Sequence, residues 1–282
     1  MRTLPRGTDL PVLLPAQARP TPAGQVGGLN ARHGTWLAFA LAAALAVGEA
    51  QAGPGDASIV AAILRWTPLL GQGFALNVAM SFIAMTAGTA AGTLLGLCQI
   101  SLMPPVRGSS RFVTQFFRNA PWLVLLFYCM LLLPFELRIG GLVIPLPGWV
   151  KATFGLSLPV MANMSEIVRG AVQSIPFGQW ESAESLAFTR RQTLWMIILP
   201  QCIKRMLPPW MNLYAILVVG TPLCSIVGVN EAMTLTNDAL AAEARRELLV
   251  PMYLYLLLWF FLYCYPIALW TSRLERRFAV DG

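Results

Sequence analysis

Lysine and histidine are nearly missing from this 282-residue chain: Lys151 and Lys204 are the only lysines and His33 is the only histidine. With one histidine, a Ser-His-Asp triad, an HExxH zinc helix and a haem ligand pair are nearly excluded within the chain. His33 reads as a surface residue of a leader. No GxxxxGK[ST] loop occurs, and neither lysine has glycine-rich surroundings, so ATP cannot be held here by a phosphate loop. The five cysteines, Cys98, Cys129, Cys202, Cys224 and Cys264, stand singly in apolar sequence without CxxC or metal-ligand spacing and read as inert packing residues. No catalytic residue, bound metal or resident cofactor is expected.

Charge is scarce as well. Charged residues make up 12% of the chain and hydrophobic residues 56%, against roughly 25% charged residues in soluble domains. The net charge of +7 rests almost wholly on arginine. These arginines bracket apolar runs, a pattern that orients a chain in a membrane and does not call for nucleic acid. Membrane lipid is the surrounding partner to expect.

Residues 1 to about 32 are rich in Pro, Gly and Arg and read as disordered. An apolar run from Trp36 to Val47 and a small-x-small site at Ala50-Gln51-Ala52 follow, as in a signal peptide. An uncleaved extra helix and a start codon placed too far upstream are the alternatives. Residues 1–52 are thus a basic leader and 53–72 an outer N-terminal segment, ahead of a transmembrane domain over 73–272.

A helix crossing the hydrocarbon core needs about 20 predominantly apolar residues. Five segments are expected to cross: about Gly73 to Ile100, Phe116 to Leu133, Ala152 to Val172, Met206 to Val229 and Val250 to Thr271. The first carries Ala79, Ala84, Gly88, Gly92 and Gly96, small residues that let a neighbouring helix approach closely. Pro104, Pro105, Arg107, Arg111 and Arg118 read as a basic inner loop, and residues 134–151 as an outer loop with room for a short interfacial helix. Glu166 and Arg169 share one face of the third helix near its inner end. The charges of residues 230–249 nearly cancel, which permits an outer connection. Arg273, Arg276 and Arg277 hold the tail, 273–282, inside. The fold class is therefore all-α and polytopic, with the core N-terminus outside and the C-terminus in the cytoplasm.

Between the third and fourth segments, about 175–204, the chain reads Glu181-Ser182-Ala183-Glu184-Ser185-Leu186-Ala187 and then Ile197-Ile198-Leu199-Pro200. A helix over about Gln179 to Leu186, a turn near Ala187 to Thr189 and a second helix capped by Thr189 would form a compact knob. The spacing resembles the EAA loop of bacterial ABC importer permeases: Glu-Ala-Ala, three residues, Gly, nine residues, Ile-x-Leu-Pro. Glu166-Ile167-Val168-Arg169-Gly170, Ile175-Pro176 and Gln179-Trp180-Glu181 narrow the resemblance to the polar amino acid importers. Phe117-Arg118-Asn119-Ala120-Pro121, Leu207-Pro208-Pro209 with Asn212, and Thr221, Ser225, Gly228 and Val229 extend it from about Arg65 to Phe278.

The resemblance implies a type I importer permease fold and a translocation subunit without enzymatic activity. ATP-Mg would be bound and hydrolysed on two separate ATPase subunits. A second permease copy or a paralogue would complete the pathway, and a periplasmic binding protein would deliver the solute. Glu181, Ser182, Ala183, Ala187, Ile197, Leu199 and Pro200 would form the ATPase-coupling loop, supported by Glu166 and Arg169. Asn119, Asn212, Thr221 and Ser225 are candidates for the translocation path, each equally able to serve as a helix–helix hydrogen bond.

Two departures stand out. Ala187 replaces the glycine of the pattern, where a left-handed conformation costs a residue with a Cβ about 1 kcal/mol. Val219-Gly220 stands where many relatives have Lys-Asp, and Pro222 would interrupt the fourth helix. The alternative readings are an ion channel or secondary transporter, which would act without ATP, and a membrane-embedded assembly factor or enzyme.

Overall fold

The computed structural model describes residues 31–51, 58–139 and 142–278. Of the leader, residues 1–30 and 52 lie outside the described residues, as do residues 53–57 of the outer segment. Its apolar run falls within helix α1 (Ala31–Gln51), from which Leu45 packs against a buried cluster that includes Ile63, Leu248 and Met252.

Helix α2 (Ile59–Gln99) is a single rod of 41 residues, so the first core helix begins within the segment expected to precede it. Ser58 starts it, its hydroxyl accepting from the Ala61 amide, and the helix continues through Pro68 and the charge-free run beyond Arg65. The expected basic loop is also a helix, α3 (Pro104–Asn119), with prolines at its start, where a missing N–H costs nothing. Pro121 then forces Ala120 into an extended conformation. The expected second crossing is consequently split: α4 (Trp122–Leu132) leaves α3 at 103°.

Strands β1 (Glu136–Ile139) and β2 (Leu142–Pro145) make an antiparallel hairpin, with Leu137 opposite Ile144, in place of the expected loop with a short helix. Helix α5 (Gly148–Gln173) runs through the centre of the bundle. Its Ala152, Leu156 and Val160 are fully buried against Leu126 of α4, Met80 and Ala84 of α2, and Leu217. Gly88, Gly92 and Gly96 of α2 make this contact possible: a Cβ on Gly88 or Gly92 would come within 2.5 Å of Val160 or of the Met161 carbonyl.

Helices α6 (Phe177–Ser185) and α7 (Arg190–Gln192) lead through a wider π-type turn, Thr193–Ile198, into α8 (Leu199–Gly220). As expected of Pro222, α8 gives way to a 3-10 segment over Thr221–Ser225. The connection beyond it contains helix α9 (Ala232–Glu243) and a short turn, Arg246–Leu248, before α10 (Leu249–Phe278).

Among the described residues, three helices are long and apolar enough to cross a membrane alone: α2, Arg190–Ser225 and Arg246–Arg277. The bent pair α3–α4 makes a fourth if it is one span. The remaining expected crossing, the third, is α5, which has 26 residues and is long enough at roughly 1.5 Å per residue. It carries Lys151, Glu166 and Arg169 and is shielded by its neighbours, which is why it is less apolar than they are. Lys151 is 1% exposed, donates to the Leu133 carbonyl at 2.9 Å and lies 3.7 Å from the Phe135 ring centre. It thereby ties the last turn of α4 to the hairpin and to the start of α5.

Candidate coupling elbow and transmembrane cleft

The elbow is built by local hydrogen bonds. Helix α6 closes on a left-handed Ala187, φ +59°, with the Phe188 amide donating to Ala183 O at 3.1 Å and the Ala187 amide to Glu184 O at 2.9 Å. These are the two bonds of a Schellman ending, which favours glycine at the position of Ala187. Thr189 then caps α7: its hydroxyl accepts from the Gln192 amide, while the Gln192 side chain accepts from the Thr189 amide at 2.9 Å. The chain therefore reverses within Leu186–Thr189 at the place its residue types indicated.

Of the expected coupling residues, Glu181, Ser182 and Ala187 are exposed, whereas Ala183 is buried. Ile197 and Leu199 rest on a cluster of Ala171, Val172, Ile175, Ile198 and Cys202 that joins the elbow to the ends of α5 and α8. Ile100, at the end of α2, packs on the same cluster. Pro200 cannot donate to the Met196 carbonyl, and just ahead of it the Leu199 amide reaches back five residues, to Leu194. Arg205 donates to the Ser174 carbonyl at 2.8 Å and so ties α8 to the end of α5. Phe177, Leu186, Trp195 and Met196 remain exposed on the knob.

A cleft of about 500 Å³ opens between α3, α5 and α8, lined by Arg118, Asn163, Glu166, Arg169, Pro209 and Asn212 with Ile167, Leu213 and Ile216. Glu166 is its electrostatic centre. The Arg169 guanidinium donates to both of its carboxylate oxygens, Arg118 stands 3.8 Å away, and Gln99 of α2 donates to it at 3.3 Å. Gln99 also reaches Ser165 at 2.6 Å and Thr114 at 3.0 Å, so α2, α3 and α5 meet in one buried polar knot. Glu166 and Arg169, expected beside the coupling loop, thus face the cleft. Pro208 and Pro209 interrupt the α8 ladder along the cleft's other wall.

The four path candidates do not converge. Only Asn212 lines the cleft. Asn119 is exposed and donates to the Gln115 carbonyl at 2.7 Å, and Ser225 donates to the Pro222 carbonyl at 2.7 Å. Thr221 is fully buried in a second network, where it accepts from Asn77 at 2.9 Å.

That network has Glu231 at its centre, and sequence reasoning missed it. Glu231 is fully buried, accepts from Asn77 at 2.8 Å and caps α9 by accepting from the Met233 and Thr234 amides. The Asn77 carbonyl oxygen in turn accepts from the Ala232 amide at 3.0 Å. Glu231 lies in a connection between apolar spans, and burial pushes its carboxyl above the ordinary range despite the hydrogen bonds that favour its charge. Asn163 of the cleft was missed too. The available signals were a lone amide, Asn77, in a charge-free helix, and an acid directly ahead of a helix start.

The geometry agrees with comparisons to known proteins. Residues 84–280 match the family model of the binding-protein-dependent transport system inner membrane component. This chain belongs to that family. It is 32% identical over 212 residues to the probable amino-acid ABC transporter permease protein YckA of Bacillus subtilis, covering 75% of this chain and 90% of that one. The inner membrane amino-acid ABC transporter permease protein YhdY of Escherichia coli is 30% identical over 73% of this chain, which spans 55% of that protein's length. Among solved structures, an amino acid ABC transporter crystallised with histidines superposes with a TM-score of 0.68 at 22% identity, covering 79% of this chain and 99% of the other. At that identity the likeness speaks for the fold. The family member described here is therefore a multi-pass membrane component of a binding-protein-dependent transport system.

Proposed function

We propose that this chain is the permease subunit of an ATP-driven importer that moves a polar amino acid or a closely related small solute into the cytoplasm. The observation that carries the reading is the elbow: a self-capped helical reversal whose base is packed on the ends of α2, α5 and α8. A push on such a knob is delivered to three helices together, as rigid-body coupling requires. The pushing partner is a pair of separate ATPase subunits carrying ATP-Mg. This chain needs no cofactor of its own. A second permease, identical or paralogous, completes the pathway, and a periplasmic binding protein supplies the solute.

The arginine distribution supports an inner-membrane location with the core N-terminus outside and the C-terminus in the cytoplasm. The cleft is the part of the chain suited to solute. It offers amides at Asn163 and Asn212 and two arginines around a single carboxylate, a setting that accommodates a carboxylate-bearing zwitterion. Names of several relatives specify amino acids, glutamine among them, which supports the same solute class.

The deciding experiment is uptake of radiolabelled amino acids by proteoliposomes containing the whole complex. Accumulation should require ATP, and uptake undiminished without the ATPase would overturn the mechanism. A cysteine at Ser182 should crosslink to the ATPase subunit, and its labelling from outside intact cells would reverse the orientation.

A further inference from the structure

Helix α3 is amphipathic, with its arginines and its exposed aromatic rings on different faces. At about 100° per residue, Arg107, Arg111 and Arg118 fall within about 40° of one another, and Phe112 and Phe116 lie roughly 140° away. Ser110 and Thr114, the buried residues of α3, adjoin the arginine stripe at about 60° and 20° from Arg107, on the side away from the phenylalanines, where Thr114 meets Gln99 of α2 and Ser165 of α5. Phe112 is 72% exposed and Phe116 is 58% exposed, their rings stacked at 6.4 Å, and Leu102 and Met103 beside the helix start are exposed as well. Arg118 is engaged at the cleft. Among the described residues, no ion pair involves Arg107 or Arg111. No Asp or Glu occurs anywhere between Asp56 and Glu136, so the neighbouring sequence offers them no acid either.

The position of α3 gives these stripes a meaning. Leu126 and Cys129 of α4 meet α5 at Gly155, Met130 meets it at Gly148 and the Leu133 carbonyl meets Lys151, so α4 runs antiparallel along α5, and the 103° bend sends α3 across the bundle. The start of α3 follows Ile100, which packs on the elbow's cluster, so the helix lies at the elbow end of the bundle. A helix crossing the bundle at one end, with arginines on one flank and aromatic rings on the other, has the form of an interfacial helix.

We infer that α3 is a binding site for anionic phospholipid in the leaflet on the elbow side. Arg107 and Arg111 hold the headgroup phosphate, and Phe112, Phe116, Leu102 and Met103 enter the acyl region. Charge complementarity selects this occupant: arginine forms paired hydrogen bonds to phosphate oxygens, and the helix contributes no acid to oppose an anionic surface.

The test uses the full chain, delipidated in detergent and titrated separately with phosphatidylglycerol and phosphatidylcholine while bound lipids are counted by native mass spectrometry. The R107Q/R111Q variant should lose phosphatidylglycerol affinity roughly tenfold, with phosphatidylcholine unchanged. Equal retention of phosphatidylglycerol by the variant and the parent overturns the assignment. A nitroxide on F112C in phosphatidylglycerol vesicles provides an independent reading if R107Q/R111Q fails to fold. Contact with dissolved oxygen but not with an aqueous nickel chelate supports the inference. Exposure to the chelate, or dipolar broadening by the label of a second copy covering this face, overturns it. Neither measurement involves an ATPase or a solute, so failure here and failure of the import mechanism are separately visible.

Discussion

The elbow and the connection following α8 are both helical reversals between apolar spans, yet they are held by opposite means. In the elbow, Thr189 pairs with Gln192 three residues on, and Phe188 bonds Ala183 five residues back. In the other connection, Glu231 is fastened to Asn77 across 154 residues and Glu243 to Trp66 across 177. Local bonding leaves the elbow a unit that keeps its shape when displaced. Long-range bonding makes the second connection part of α2, unable to shift without exposing buried polar groups. On the coupling role proposed above, the elbow would be the handle that transmits displacement and the second connection the anchor.

Replacing one partner in the anchor should have the largest effect. Glu231→Ala strands the Asn77 amide and two α9 amides in a buried site and should lower stability by about 3 kcal/mol, seen as a fall in the detergent unfolding temperature. Gly92→Leu, which forces a side chain against the Met161 carbonyl, should cost about 2 kcal/mol or prevent assembly of α2 with α5. Thr189→Ala in the handle should cost only about 1 kcal/mol, and it should lower ATP-driven uptake more than it lowers the unfolding temperature. The smallest change is a gain: Ala187→Gly relieves a left-handed alanine and should stabilise by up to about 1 kcal/mol, measured by the same unfolding assay. If Thr189→Ala proved as damaging as Glu231→Ala, the contrast between handle and anchor would fail. A double-mutant cycle on Asn77 and Glu231 would sharpen it by measuring their coupling directly.

The contrast also explains what could be read from the chain. The elbow was legible because caps, turn and proline act over three to five residues, and Thr189, Gln192 and Pro200 stand at telling distances. The spans were legible as charge-free runs. Helix α3 was not, because three arginines with two leading prolines resemble a loop when counted by composition. Only their common stripe reveals a helix, and only the extended Ala120 before Pro121 separates it from α4. The Asn77–Glu231 bond was invisible for a different reason. Each residue alone has an ordinary local explanation, and nothing in the spacing announces that two distant polar groups share one buried site. The same holds for the cleft: Glu166 and Arg169 were legible as neighbours on one helix face, but that Asn212 stands opposite them and Asn163 depends on the crossing of α5 and α8.

The widened turn over Thr193–Ile198 sets the phase between elbow and span. Accommodating one additional residue per turn offsets the two helices by about 100°. That offset lets Trp195 and Met196 face outward while Ile198 and Cys202 face the bundle. A chain shortened by one residue there could still form continuous helix, but its knob would point in another direction. The length of this turn therefore governs both where the knob aims and whether Ile198 reaches the cluster at the ends of α5 and α8.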